Sequence, residues 1–255
     1  MKPPGIIARA FVDGGGDPAA LGDVIGDRAV SVVFQPILDL AGGRIVGHEA
    51  LVRGPAGSWL ETPTALFAAA REAGCYESLA IICIQETLRA FSAGGSRGLL
   101  FLNMSPRLVQ RPGFDPPRAR RFLEDLRLCP ASVVIELTED FPAIDLRHLR
   151  ESLLLYRSMG FRVALDDLGE GFSTLRLWSE LRPEFVKADK HFVRGIARDA
   201  VKRQFLRSMQ HIAQRCGSQV IAEGIEVAED FRAARRLGVA MAQGWFIGRP
   251  VATLA

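Results

Sequence analysis

Oxygen-bearing side chains stand at or near the ends of six predicted strands, and their types indicate a metal site. The charged and amide residues at these ends are Glu49, Arg53, Asn103, Glu136, Glu139, Asp166, Asp167, Lys187, Asp189, Glu223 and Glu226, and Gln243 stands where the last predicted strand begins. So many carboxylates facing one cleft would repel one another strongly unless cations neutralised them. Oxygen ligands without cysteine or histidine favour the hard divalent cations Mg²⁺ and Mn²⁺.

The adjacent pair Asp166 and Asp167, within VALDDLGEGF, is the most informative part of this pattern. Taken alone, two aspartates after a strand are typical of a solvated turn. Together with the other strand ends, they are candidates to serve two metal ions, an arrangement suited to phosphoester hydrolysis. Lys187 would then orient or activate the water, and Arg53 would hold a phosphate. A lyase with a single Mg²⁺ remains an alternative on this pattern.

The elements that must position these residues alternate between strand and helix patterns. The segments SVVFQPILDL and RIVGHEALVRG predict a hairpin, and from there apolar strands alternate with amphipathic helices. A last short strand is predicted in AQGWFIGRP, beginning around Gln243. About eight strands, nearly all followed by helices, predict an α/β fold of the (β/α)8 barrel type. The hairpin makes the first strand antiparallel, and a doubly wound open sheet is the second choice.

Composition narrows the classes of function. The 255 residues are 48% hydrophobic and 24% charged, with a formal net charge of +3, which is too small to indicate a nucleic-acid polymer as partner. The four cysteines form no zinc pattern and suggest a reducing compartment, so a cytoplasmic location is expected. No apolar run approaches the length of a membrane span. Residues 1–28 are interpreted as a flexible leader or linker, and residues 29–255 as one domain.

Eight dispersed motifs read, in chain order, FQPI, GHEALVRGP, FLNMSP, VIELTED, ALDDLGEGFSTL, VKAD, IAEGIE and QGWFIGRP. Together they resemble the motifs of the EAL domain family, the bacterial cyclic di-GMP phosphodiesterases. The naming triplet is Glu49-Ala50-Leu51, and the likeness runs from about residue 30 to residue 251. The resemblance implies a modified TIM barrel with an antiparallel first strand, hydrolysis of cyclic di-GMP to linear pGpG, a Mg²⁺ or Mn²⁺ cofactor at a two-metal site, and a homodimer.

The resemblance also implies a role for each matching residue. Metal ligands would be Glu49, Asn103, Glu136, Asp166, Asp167, Asp189 and Glu223. Lys187 would assist the water nucleophile, and Glu223 would also act at the metal-water site. Substrate would contact Gln35, Leu51, Arg53 and Gln243. Glu139 would anchor the loop after strand five, and Glu226 would be a supporting carboxylate.

The loop after strand five departs from the family pattern. Leu168 stands where the family usually has phenylalanine, and Glu170 stands where it has threonine or alanine. A smaller apolar residue loses packing, and an extra negative charge weakens the order of a loop near carboxylates. Two smaller departures, Glu184 and Ala188, lie around the strand-six motif. Because the matching carboxylates and Lys187 are all present, an active phosphodiesterase is the leading hypothesis, and a weakly active or inactive receptor for cyclic di-GMP is the alternative.

Overall fold

The structure is a computed structural model that describes residues 18–95, 98–111, 116–138, 145–168 and 173–254. Its strands are β1 Ser31–Asp39, β2 Arg44–Arg53, β3 Leu99–Met104, β4 Val133–Leu137, β5 Arg162–Leu168, β6 Phe185–Ala188, β7 Gln219–Ala222 and β8 Met241–Gln243. Its helices are α1 Pro18–Gly26, α2 Pro63–Glu72, α3 Tyr76–Ala93, α4 Pro106–Val109, α5 Pro116–Asp125, α6 Leu146–Ser158, α7 Ser173–Leu181, α8 Lys190–Val193, α9 Ala200–Cys216 and α10 Ala228–Arg236.

The strands close into a barrel in sequence order, with β1 beside β8. β1 is antiparallel to both β2 and β8, and the other neighbouring strands are parallel. The reversal comes from a tight turn after Asp39, whose Oδ1 accepts from the amide of Ala41 at 3.0 Å. Gly43 completes the turn with a φ of 65°, a conformation that favours glycine. The prediction of a barrel with an antiparallel first strand is confirmed.

The barrel interior has an apolar floor and a polar mouth. The floor consists of Ile37, Phe101, Val134, Ala164, Phe185, Ile221 and Met241. On six strands, the residue two positions beyond the floor residue is one of the predicted site residues, as in Phe101 and Asn103 or Phe185 and Lys187. On the reversed β1 the order is inverted, and Gln35 precedes Ile37. Because strand side chains alternate between two faces, this spacing directs each polar residue inward, one layer above the floor.

The β2 strand reaches the same layer with Gly47 in place of an apolar floor residue. A Cβ at Gly47 would lie 2.5 Å from the carbonyl oxygen of Leu99 on β3. The absence of a side chain therefore allows β2 and β3 to approach, and Glu49 follows two residues later at the mouth.

Two boundaries differ from the sequence-based expectation. Residues 18–26, part of the predicted leader, form α1, and its Leu21 and Val24 are buried against α2 and α3; residues 1–17 lie outside the described part. The last strand ends at Gln243, so the prediction of a strand beginning there was wrong. After Gln243 the chain turns, since the amides of Ile247 and Gly248 both donate to the carbonyl of Gly244 at 3.0 Å.

None of the helices in the described ranges combines the length and apolar character that a bilayer crossing requires.

Candidate active site

A buried lysine lies at the centre of the barrel mouth, surrounded by carboxylates. The Nζ atom of Lys187 lies 2.5 Å from Oε1 of Glu136, 2.8 Å from Oε1 of Glu223, 3.2 Å from Oδ1 of Asp166 and 3.3 Å from Oε2 of Glu49. The lysine side chain is 1% exposed and Glu136 is fully buried. Four strands, β2, β4, β5 and β6, and the residue after β7 thus bring these five side chains together.

Amide side chains hold Glu49 in place. Asn103 Nδ2 donates to Oε1 of Glu49 at 3.1 Å, and Gln243 Nε2 donates to Oε2 at 2.6 Å. The Gln243 amide also donates to Oε1 of Gln35 at 3.1 Å, and Gln35 Nε2 donates to the carbonyl of Gly248 at 3.3 Å. Both oxygens of Glu49 are therefore oriented by neutral donors, which fixes its carboxylate without neutralising it.

The charges in this cluster are strongly coupled. Burial disfavours the charged form of Lys187, but the attraction of Asp166, Glu136, Glu223 and Glu49 outweighs it and raises the lysine pKa well above its usual value. Burial raises the pKa of Glu136 well above its usual range, against the attraction of Lys187. Burial likewise raises the pKa of Glu223 to about 8, again opposed by Lys187. When ionised, four carboxylates and one ammonium carry a net charge of −3.

The donor set fits a divalent cation, although the carboxylates converge on the lysine. Within this cluster, Oε2 of Glu136 and Oε1 of Gln243 have no hydrogen-bond partner in the described residues, and Oδ1 of Asp166 has only the ion pair with Lys187. Oxygens of this kind, in a site of negative charge, are ligands that Mg²⁺ or Mn²⁺ prefers. In the described ranges no three Asp, Glu, His or Cys side chains already surround a common metal position.

Comparison with known proteins identifies the family. Residues 19–250 match the EAL domain. The chain belongs to the EAL domain family. It is 31% identical over 235 residues to a probable cyclic di-GMP phosphodiesterase, PdeB, of Escherichia coli, and 32% identical over 241 residues to an uncharacterized protein of Azorhizobium caulinodans. Each alignment covers 90% of this chain but only 44% and 33% of the respective relative, so the chain spans less than half of either protein.

Solved structures show the same barrel. An EAL domain protein of Listeria monocytogenes superposes with a TM-score of 0.82 at 22% identity, over 93% of this chain and 95% of that one, which supports the fold. BlrP1 of Klebsiella pneumoniae, solved as a manganese and cyclic di-GMP complex, superposes with a TM-score of 0.79 at 26% identity. That match covers 88% of this chain and 56% of BlrP1.

Two further predicted residues of this EAL domain lie around a cleft at the mouth. The cleft measures about 210 Å³, and its walls include Glu49, Glu223 and Gln243. Asp189 also lines it, but its Oδ1 accepts from the amide of His191 at 2.7 Å and so caps α8. Glu226 stands at the rim and is ion-paired with Arg194.

The side chains of Arg53 and Leu51 make no hydrogen bond or ion pair with Lys187 or its four carboxylates in the described part of the chain. Arg53 donates from Nη1 to the carbonyl of Val52 at 2.8 Å. Leu51 lines a separate cavity, which it shares with Asn103. The backbone of Asp167 continues β5, but its side chain is not among the described groups. Glu139 and Glu170 lie outside the described residues.

Leu168, the departure in the EAL loop motif, lies in β5 and is 1% exposed. It pairs with Ala188 after a register shift that follows Leu165. The leucine is therefore packed in the outer core, as its apolar character predicts.

The sequence analysis missed two cations that line the mouth cleft, Lys190 and Arg194. Both belong to the short segment after the VKAD motif, and Arg194 forms the ion pair with Glu226. Their position after the end of a strand was the sequence's indication of these cations, but polar residues are common there because they cap the following helix.

Proposed function

We propose that this EAL domain hydrolyses cyclic di-GMP to linear pGpG. The observation that carries this proposal is the contact of Lys187 with four carboxylates at the mouth of the barrel. The name of the E. coli relative and the cyclic di-GMP complex of BlrP1 support it. A cleft that only bound a dianionic nucleotide would gain nothing from a net negative charge, because like charges repel.

Mg²⁺ or Mn²⁺ is the proposed cofactor, at a two-metal site. The residues that would hold the ions are Glu49, Asn103, Glu136, Asp166, Asp167, Asp189 and Glu223. Bound there, the cations would neutralise charge on the phosphodiester and lower the pKa of a water molecule. The unpaired Oε2 of Glu136 supports this assignment.

The protein's own side chains would orient the attacking water molecule and accept its proton. The Lys187 ammonium, fixed by four carboxylates, donates hydrogen bonds that orient the attacking water. Glu223 lies 2.8 Å from Nζ of Lys187, so its carboxylate is placed to receive the proton that the water loses. The water oxygen forms a bond to phosphorus and the bond from phosphorus to the ribose O3′ breaks. The 3′ oxygen takes up a proton from solvent and leaves as a hydroxyl of pGpG, and Glu223 releases the proton of the water to solvent.

Substrate binding is assigned to Gln35, Leu51, Arg53 and Gln243. The amides of Gln35 and Gln243 are held by each other, and Arg53 offers a guanidinium for a phosphate. Trp245 follows this set at the cleft, is 55% exposed and has Arg249 over its ring at 4.5 Å. An exposed, held indole of this kind offers a face on which a guanine can stack.

The direct test is incubation of the purified chain with cyclic di-GMP in Mg²⁺, Mn²⁺ or EDTA, in water enriched in ¹⁸O. We expect pGpG with either metal and none in EDTA, with the heavy oxygen on the new 5′-phosphate. Absence of product with both metals, when cyclic di-GMP binds, would instead support a receptor.

We also propose a homodimer and a cytoplasmic location. Leu175 on α7, next to the loop after β5, is 60% exposed and is available for a contact with a second copy. Analytical ultracentrifugation of the wild type and of Leu175→Glu tests this, and a dimer that is lost in the variant is the expected result.

A further inference from the structure

The two cations of the mouth cleft, Lys190 and Arg194, lie one helical turn apart. The amide of Arg194 donates to the carbonyl of Lys190 at 2.8 Å, so both side chains leave the same short turn. The cleft also includes Glu49 and Glu223, which belong to the carboxylate cluster around the barrel lysine. The two cations therefore offer attraction to an anion at a place where the cluster by itself would repel it.

A glycine brings both cations close to the carboxylate cluster. Gly224 follows Glu223 and has a φ of 66°, and a Cβ at this position would lie 2.6 Å from the Cβ of Lys190 and 3.6 Å from the Nε of Arg194. A larger residue would displace the lysine stem, so the glycine allows both side chains to pack next to Glu223. The Oε1 atom of Glu223 is itself 2.8 Å from the Nζ of Lys187.

Both cations keep hydrogen-bond donors that no group in the described part of the chain uses. The side chain of Lys190 is exposed, and its Nζ forms neither a hydrogen bond nor an ion pair with the described residues. Arg194 donates from Nη2 to Oε1 of Glu226, and its side chain remains 51% exposed. A guanidinium has five N–H groups, so this ion pair leaves others that can bind a phosphate oxygen.

A buried carboxylate fixes the backbone that follows Arg194. Asp230, on α10, is 4% exposed. Its Oδ2 accepts from the amide of Gly195 at 2.8 Å, and its Oδ1 accepts from the amide of Ala197 at 2.9 Å. Because both oxygens are used, the carboxylate determines the path of this turn relative to α10.

Helix α9 holds the same turn through its carbonyl groups. Arg203 donates from Nη1 to the carbonyls of Ile196 and Ala197, both at 3.0 Å. The Nζ atom of Lys202 donates to the carbonyl of Arg194 at 2.8 Å. The turn is thus ordered before any ligand binds, which lowers the entropic cost of using its cations for binding.

The proposed substrate supplies an anion for this rim. Each nucleotide of cyclic di-GMP is joined to both phosphates, through its 3′ and 5′ oxygens, and metal ions at the cluster would neutralise only the phosphate that is cleaved. Trp245, proposed above to stack on a guanine, lines the same cleft as Lys190 and Arg194. A nucleotide bound there, with one phosphate at the cluster, brings the other phosphate to the rim of the cleft.

We infer that Lys190 and Arg194 bind the phosphate of cyclic di-GMP that is not cleaved, and that Asp230 is a positioning residue for the turn that carries them. The inference rests on the proposed function, because it assumes cyclic di-GMP as the ligand. It adds a second phosphate site to the metal site, and it explains why a cleft with a negative centre has a positive rim.

Lys190→Met is the cleanest test of this phosphate site, because it breaks no contact between described residues. We expect the KM for cyclic di-GMP in Mn²⁺ to rise by about five- to tenfold, and by more in Lys190→Met/Arg194→Gln, with kcat changed less than about twofold. Hydrolysis of bis(4-nitrophenyl) phosphate, which has a single phosphate, should be unchanged. Arg198→Gln is the matched control, since this exposed arginine belongs to the same segment but does not line the mouth cleft.

Asp230→Asn tests the positioning role. Asparagine keeps one acceptor oxygen and presents an amide to the other backbone N–H, so the turn loses a hydrogen bond. The KM for cyclic di-GMP should rise by about five- to tenfold in the otherwise wild-type chain but no further in the Lys190→Met/Arg194→Gln background. An equal rise in both backgrounds would show a general structural role and would overturn the assignment of Asp230. If Asp230→Asn does not fold, Lys190→Met still decides the phosphate site.

The dissociation constant of cyclic di-GMP, measured by calorimetry with Ca²⁺ in place of Mn²⁺ and with the ligand recovered intact, separates this inference from the proposed hydrolysis. A wild type that binds without producing pGpG in Mn²⁺ would overturn the hydrolysis alone, and the weaker binding of Lys190→Met would still support the phosphate site. A KM and dissociation constant unchanged in Lys190→Met, or changed equally in Arg198→Gln, would overturn the phosphate site alone. Absence of binding to the folded wild type would overturn both.

Discussion

The Nζ atom of Lys187 lies 2.5 Å from Oε1 of Glu136, and both side chains are buried in the barrel mouth. Glu49, Asp166 and Glu223 complete the group around the same ammonium. A cation at the centre of these carboxylates offsets part of a repulsion that would otherwise oppose closure of the barrel. The lysine is therefore expected to stabilise the metal-free fold as well as to serve in catalysis.

The first prediction concerns this stabilising role. Lys187→Met leaves buried carboxylates without a counter-cation and should lower the free energy of unfolding by about 3–5 kcal/mol in EDTA. Mn²⁺ should restore more stability to the variant than to the wild type, because it supplies the missing positive charge. Urea unfolding in EDTA and in Mn²⁺ measures both effects. Lys190→Met, at an exposed lysine, is the control. An equal loss of unfolding free energy in that variant would show that Lys187 has no special stabilising role.

The second prediction concerns the amide that orients Glu49. Gln243→Leu removes the donor to Oε2 of Glu49 and the link to Gln35. We expect kcat/KM for cyclic di-GMP, or the affinity for Mn²⁺, to fall by about 10- to 100-fold. Gln219→Leu, on the exposed start of β7, should change neither. Unchanged values in Gln243→Leu would show that the orientation of Glu49 does not depend on this amide.

The third prediction concerns pH and helix capping. Asp199 accepts from the amides of Val201 and Lys202 at the start of α9, and chiefly the hydrogen bond from Lys202 lowers its pKa. A carboxylate whose pKa is lowered by folding stabilises the protein above its unfolded pKa of 3.8 and loses that effect as the pH falls below it. Asp199→Ala should therefore destabilise the protein at pH 7 and much less at pH 3.

The matched variant for this comparison is Asp199→Asn, which can cap the helix but does not titrate. Its stability relative to the wild type should improve as the pH falls. Urea unfolding at several pH values measures the difference, and a pH-independent loss in Asp199→Ala would contradict the assignment.

The fourth prediction concerns thiol reactivity. Cys129 and Cys216 are exposed, whereas Cys83 is buried and has a pKa of about 12. Because the thiolate is the reactive form, two thiols should react rapidly with a disulfide reagent at pH 8, and Cys83 only on unfolding. Cys75 is half-buried with a raised pKa and should react more slowly than the exposed pair. Cys83→Ala should leave the fast phase unchanged; a smaller fast phase would show that Cys83 is accessible.

The barrel was predictable because the two-residue alternation of its strands can be read in the sequence. Apolar floor residues such as Phe185 and Ile221 lie two positions before Lys187 and Glu223, so the same segments predict both a strand and a polar residue at the mouth. The helix α1 was not predicted, since its few apolar residues are buried only by contact with α2 and α3. The turn after Gln243 was missed because WFI is apolar enough to suggest a strand.

The arrangement within the site could not be read from the sequence. Lys187 was expected to act on a water molecule, but nothing in its strand indicated that four carboxylates from other strands would contact its Nζ. The link between Glu49 and Gln243 joins residues 194 positions apart and exists only because β1 closes the barrel between β2 and β8. Such contacts depend on closure rather than on local pattern.

The most direct test of the central claim is the rate at which cyclic di-GMP is converted to pGpG. This rate is measured in Mn²⁺ for the wild type, for Glu49→Ala and for the surface control Glu229→Ala. The claim is that the carboxylates around Lys187 carry out metal-dependent hydrolysis. It predicts pGpG from the wild type and from Glu229→Ala at equal rates, and a rate at least about 100-fold lower from Glu49→Ala. Full activity in Glu49→Ala, or no pGpG from a wild type that binds cyclic di-GMP, would contradict it.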